Sequence, residues 1–194
     1  MEELTNHDLL MFWMRVYLGT SDITKLKLAS IDRAYRDFNR TMHGIKNLQT
    51  DKTYNILSTF MLDSINEVLS KDFIQNTFDE WHQSKCNQLI TKFQEVLNYT
   101  IFYGQAQKWI NMTLKYLYAI GPDYIDGIKK NYHLFHIPLD NIIQDRLVNY
   151  GIPRINLRWS KIDNYESYLD YQKLVRTKFQ GRVPLIVEFL LFNQ

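Results

Sequence analysis

Residues 102–121 read "FYGQAQKWINMTLKYLYAIG". The run from 108 to 120 is an apolar helical pattern, ended by "GPD" at 121–123. Residues 102–107 instead read as a polar hairpin built around Gly104. Lys108 stands at the junction. A lysine on a solvent-facing turn needs no explanation, whereas one at the mouth of a buried helix is placed for chemistry.

Outward from this stretch, every neighbouring segment has the same helical period. "HDLLMFWMRVYLG" is a short amphipathic helix closed by Gly19. "TSDITKLKLASIDRAYRDFNRTMHG" follows, with Ser21 or Asp22 as N-cap and Gly44 as C-cap. "DKTYNILSTFMLDSINEVLS" is a third helix, capped by Thr50 or Asp51, and "TFDEWHQSKCNQLITKFQEVLNYT" a fourth. C-terminal to the opening stretch, residues 123–131 form a surface helix or turn, and "IPLDNIIQDRLVNYGIP" is a helix with Asp140 at its N-cap. "DNYESYLDYQKLVRTKFQG" and "VPLIVEFLLFNQ" close the chain as helices. No segment alternates with period two long enough to make a sheet. The expected fold is all-α, a single domain over 1–194. It comprises a helical lobe about 20–100, a hairpin and catalytic region about 101–150, closing helices about 164–192, and a cleft between two lobes.

Composition agrees with that class. Hydrophobic residues make up 45% of the 194 positions and aromatics 14%, enough for a packed core, and only seven glycines serve tight turns. The net charge of +2 is unevenly spread: 11 basic against 13 acidic side chains in residues 1–100, then 12 against 8 in 101–194. A mildly basic second half is compatible with phosphate contacts and equally with a solvated surface. Cys86 is the single cysteine, so no internal disulfide or cysteine cluster is expected, and its neighbours in the helical pattern mark it as core. His7, His82, His133 and His136 have no metal-ligand spacing, and neither metal nor cofactor is expected. With no signal-peptide pattern and no apolar run of membrane-spanning length, the expectation is a cytoplasmic monomer with no membrane contact.

Thirty-two residues after Lys108 comes "HIPLDNIIQDRL", which sets Asp140 at a helix start. Taken with "FYGQAQK", the apolar start, Gly104, small Ala106, Lys108 and the "IPLD" before a helix resemble the catalytic region of the helix-hairpin-helix DNA glycosylases. The spacing is most like the archaeal 8-oxoguanine branch. Ala106 stands where the family has a second glycine, and Asn141-Ile142 where it has Thr-His. The resemblance covers roughly 50 residues; residues 1–97 share only helicity.

That resemblance implies a base-excision enzyme acting on double-stranded DNA with a modified base, 8-oxoguanine first, and nucleoid-associated when on DNA. Lys108 would be the Schiff-base nucleophile and Asp140 its ionised partner, with lyase activity following. A free lysine titrates near ~10.4, so such a site must favour the uncharged amine. Gly104, Gln105, Ala106 and Gln107 would offer backbone amides to a phosphate. The flipped base would stack on an aromatic, with Trp81, Trp109, Trp159 and Phe192 as candidates, although helical spacing also explains each as core. Arg146, Arg154 and Arg158 could add phosphate contacts, and Lys115, two turns past Lys108, reads as structural.

Two other readings fit the residues. Arg36 and His43, seven apart, would share one face of a continuous helix, a spacing seen in the helical HEPN ribonucleases. Alternatively the chain is a helical interaction module, which requires Lys108 and Asp140 to be exposed and far apart.

Overall fold

The computed structural model describes residues 3–45 and 52–194. Its helices are α1 (Asn6–Leu18), α2 (Leu26–Phe38), α3 (Lys52–Ser70), α4 (Gln75–Leu97), α5 (Tyr103–Ile120), α6 (Ile128–Asn131), α7 (Asn141–Val148), α8 (Tyr165–Lys178) and α9 (Pro184–Phe192). No strand occurs among the described residues, so the fold class is the expected one. Local chemistry sets the ends. Thr5 and Asp8 cap α1 reciprocally, and Gly19 closes it at φ 82°. The Asp140 and Asn164 side chains cap α7 and α8, and Pro184 opens α9. Thr50 and Asp51, the expected caps of α3, lie outside the described residues.

Helix α5 is the axis of the molecule. It is buried almost continuously from Gly104 to Leu117 and packs against α2 above all, then α4, α8 and the short turn at Trp159–Lys161. Trp109 anchors it: the ring is fully buried and its indole N–H donates to the Ile31 carbonyl at 2.9 Å. Tyr35 and Phe38 from α2 and Phe93 from α4 surround that ring at 5.3–6.1 Å between centroids. Truncating Trp109 to alanine would cost about 3–5 kcal/mol. One contiguous hydrophobic cluster runs from Met14 to Leu191, so the two lobes expected from the sequence share a single core.

Two expected boundaries move. Helix α5 starts at Tyr103, five residues before the expected start, because Gln105 folds back to accept the Phe102 N–H at 3.0 Å and caps the first turn. The "hairpin" residues 104–107 are therefore helical. Helix α2 ends at Phe38 rather than near Gly44. A 3-10 turn at Asn39–Thr41 follows, in which the Thr41 hydroxyl donates to the Phe38 carbonyl at 2.7 Å, and Met42 is then extended and buried. His43 thus lies beyond the helix that carries Arg36, and the shared face required by the ribonuclease reading is absent.

Candidate active site

The first turns of α5 explain where Lys108 goes. Successive residues of a helix are turned by about 100°, so Gln107 and Lys108 address different neighbours. Lys108 is buried, and its Nζ donates to Asp140 Oδ2 at 2.6 Å. The other Asp140 oxygen, Oδ1, accepts the Ile143 N–H at 2.9 Å and caps α7. A single carboxylate thus joins the amine to a helix N-terminus, whose partial positive charge favours the anion. The amine and the acid, 32 residues apart in sequence, are in direct contact.

They lie in the wall of a cavity of about 740 Å³, which also includes Trp159, Phe192, and Trp13 and Tyr17 of α1. Trp159 lies against Lys108, with its ring centroid 6.0 Å from Nζ, and Phe192 is half-exposed at the rim. The other two aromatic candidates are elsewhere. Trp109 is core, and Trp81 is buried on α4 between Phe73 and Phe78. Helical spacing decided those two in favour of packing.

The backbone amides of residues 104–106 are already paired within the protein. The Gly104 N–H donates to the Ile162 carbonyl at 3.1 Å, and the Gln105 and Ala106 N–H groups both donate to the Phe102 carbonyl. The glycine is required for a different close approach. A Cβ at 104 would stand 1.7 Å from the Trp159 carbonyl oxygen. Gly104 therefore lets the 159–162 turn close onto the helix start, which sets Trp159 beside Lys108. Of the basic candidates, Arg154 is engaged with Asp145 and Asn141, Arg146 with the Leu191 carbonyl, and Arg158 is exposed.

A second charged pair was missed. Lys115, seven residues after Lys108 and so on the same face of α5, is buried with its Nζ 2.7 Å from Glu188 Oε1 and 2.6 Å from Oε2. Both carboxylate oxygens thus face the one ammonium, and no further donor reaches Oε2. Both residues line the same cavity. Burial pushes the Glu188 carboxyl up, and the Lys115 charge beside it pulls the other way. The rings of Phe189 and Phe192 flank Lys115 at 4.9 and 4.3 Å. A lone glutamate inside "PLIVEFLLF" was the available signal: a charge amid eight apolar residues needs a buried partner.

Behind the site is a buried polar network. His136 sits between Asp79 at 2.8 Å and the Tyr168 hydroxyl at 2.9 Å, and Arg176 adds a fork onto Asp79. Burial alone would raise the Asp79 carboxyl, but His136 and Arg176 overturn that and hold it well below the usual range. Burial keeps His136 and His82 neutral, their pKa values lowered despite hydrogen bonds that favour the charged ring. Cys86 is buried beside His82, as its helical spacing predicts, and burial raises its thiol.

None of the described helices is long and apolar enough to cross a membrane. The chain matches no family model, no curated protein and no solved structure.

Proposed function

We propose that the chain is a DNA N-glycosylase with associated lyase activity, acting through Lys108 and Asp140 on a modified, guanine-type base. The observation that carries the reading is the 2.6 Å contact between a buried lysine amine and a helix-capping carboxylate in the wall of an aromatic cavity. An interaction module would have no need of such a placement, and its requirement that the two residues be exposed and apart is not met.

In the proposed reaction the Lys108 ammonium first passes a proton to Asp140, which leaves a neutral amine. Its lone pair forms a bond to C1′ of the flipped nucleotide as the N-glycosidic bond breaks. The base leaves with that electron pair and takes the proton that Asp140 had accepted, and Asp140, anionic again, steadies the positive charge on the sugar. Opening of the sugar ring transfers a proton from nitrogen to O4′ and leaves an imine. Loss of a 2′ proton then expels the 3′ phosphate.

The cavity also supports a choice of base. Glu188 is a buried acceptor whose carboxylate is paired with Lys115, the buried donor beside it. A guanine-type edge presents N1–H and an exocyclic NH₂, which a carboxylate accepts together, and its carbonyl suits the ammonium. Trp159 and Phe192 offer stacking faces for the ring. The 8-oxoguanine expectation thus gains a chemical rationale in the acceptor it requires.

The test is base release and borohydride trapping on duplexes that carry a panel of single modified bases. The expected result is a covalent protein–DNA adduct on guanine-derived lesions that is lost in Lys108→Gln. Absence of both base release and adduct on every lesion overturns the proposal.

A further inference from the structure

Residues His136–Asp140 run extended through the interior, and all but Asp140 are buried, yet no strand pairs with them. A buried backbone must find partners for its N–H and C=O groups. Two glutamine side chains supply them. The Gln172 amide accepts the Ile137 N–H at 3.1 Å and donates to the Ile137 carbonyl at 2.9 Å. The Gln107 amide does the same two residues on: it accepts the Leu139 N–H at 3.2 Å and donates to the Leu139 carbonyl at 3.0 Å. The residue between them is Pro138, which has no N–H to satisfy. The spacing is that of one edge of a β-ladder, with side-chain amides in place of a neighbouring strand.

Gln107 differs from Gln172 in what it connects. It precedes Lys108 on α5, and Leu139 precedes Asp140, so its amide ties the backbone beside the nucleophile to the backbone beside the acid. Gln107 is itself held on both sides. Its Nε2 also donates to the Gly104 carbonyl at 2.9 Å, and its Oε1 accepts from Asn111 Nδ2 at 2.9 Å. Asn111 is oriented in turn by His82 Nε2 at 3.0 Å and the Tyr168 hydroxyl at 2.8 Å. Every member is buried. A glutamine fits this position because it carries one donor and one acceptor in a plane; a glutamate cannot donate and a methionine can do neither.

We infer that Gln107 is a positioning residue whose two-point amide clamp on Leu139 sets the separation of Lys108 and Asp140. The two charges attract without Gln107, but their coupling is weak once the two backbones are free to drift out of contact. What the clamp adds is a fixed register, so that proton transfer and attack at C1′ start from one geometry. This consequence for catalysis rests on the glycosylase reading, whereas the geometric claim does not.

Two measurements separate the claims, and Gln172→Met serves in both as the control for general loosening. In the first, the coupling between Lys108→Met and Asp140→Asn is measured by urea unfolding in three backgrounds: native, Gln107→Met and Gln172→Met. The expected coupling is about tenfold in the unfolding constant in the native and Gln172→Met backgrounds, and under about twofold with Gln107→Met. Equal coupling in all three, or equal loss in both glutamine variants, overturns the clamp. In the second, single-turnover trapping on a duplex with a preformed abasic site is expected to slow at least about tenfold in Gln107→Met at unchanged duplex affinity. Gln172→Met is expected to slow less than about threefold, and equal slowing in the two variants contradicts a positioning role. If the native protein forms no adduct, the glycosylase reading fails, and the coupling measurement still decides the clamp.

Discussion

Helix α5 presents two lysine–carboxylate pairs on one face, two turns apart, and they differ in the carboxylate rather than the lysine. The Lys108 and Lys115 side chains are almost equally buried, at 6% and 7% exposure, and each amine lies 2.6 Å from a carboxylate oxygen. Asp140 is 21% exposed and divides its oxygens between the amine and a helix N-terminus. Glu188 is 2% exposed, sits mid-helix among apolar side chains, and has its carboxyl raised by burial. The first pair holds an acid within reach of solvent, which on the proposed reading suits it to moving protons. The second holds a desolvated acceptor and donor, suited to rewarding a ligand that replaces lost hydrogen bonds. A buried ion pair is therefore not by itself a sign of catalysis, and the environment of the acid separates the two roles.

That division can be broken by mutating one acid at a time. Asp140→Asn should lower the single-turnover rate by about 10²–10⁴ on every accepted lesion, since it removes the proton acceptor. Glu188→Gln should leave trapping on a preformed abasic site within about threefold of native, because no base is read there. It should, however, change the ranking among base lesions by about tenfold or more. Equal losses on abasic and base-containing duplexes would erase the distinction. Stability should separate the pairs in the opposite order. Lys115→Met leaves Glu188 buried without its partner and is expected to cost about 3–5 kcal/mol in urea unfolding. Lys108→Met, which leaves a partly solvated and helix-capping Asp140, should cost less.

Smaller effects sharpen the geometry. Gly104→Ala drives a Cβ into the Trp159 carbonyl and should cost about 1–3 kcal/mol, with a red-shift or broadening of tryptophan fluorescence as the turn is displaced and the buried Trp159 gains solvent. The pH dependence follows from the buried histidines. His82 and His136 resist protonation in the folded chain but titrate near ~6.5 when unfolded. Below that pH the unfolded chain binds more protons, so stability should fall as pH drops from about 7 to 5. The depressed Asp79 carboxyl adds a further loss below about pH 4. Glu188, with its pKa raised, opposes the trend, since its folded form takes up a proton first. His82→Gln, which keeps a donor toward Asn111, should flatten the dependence between pH 5 and 7 in thermal unfolding scans.

Much of this was legible in the chain, for identifiable reasons. Helices announce themselves by period, and the caps Thr5, Asp140 and Asn164 and the helix-opening Pro184 have chemistry visible in the sequence. The Lys108–Asp140 pairing was expected from the resemblance of the two segments to a glycosylase hairpin and its acid; the apolar helix and the Pro-x-Asp start mark each end but do not join them. The conformation of residues 104–107 was misread, because a glycine beside polar residues looks alike in an open turn and in a helix start pressed against a carbonyl. Only the tertiary approach of Trp159 distinguishes them. The helix break after Phe38 depends on Thr41 and Met42 finding partners across the fold, which no local pattern shows. No local pattern marks Gln107, Asn111 and Gln172 as buried, since their burial exists only once segment 136–140 needs a surrogate strand.

The most direct measurement is the attachment site of the trapped sugar. After borohydride reduction on a lesion-bearing duplex, digestion and tandem mass spectrometry should locate the deoxyribose remnant on the ε-nitrogen of Lys108 in the native chain. A remnant on Lys115 or on the N-terminal amine would contradict the assignment of the nucleophile, and so would a lesion processed without any remnant on Lys108.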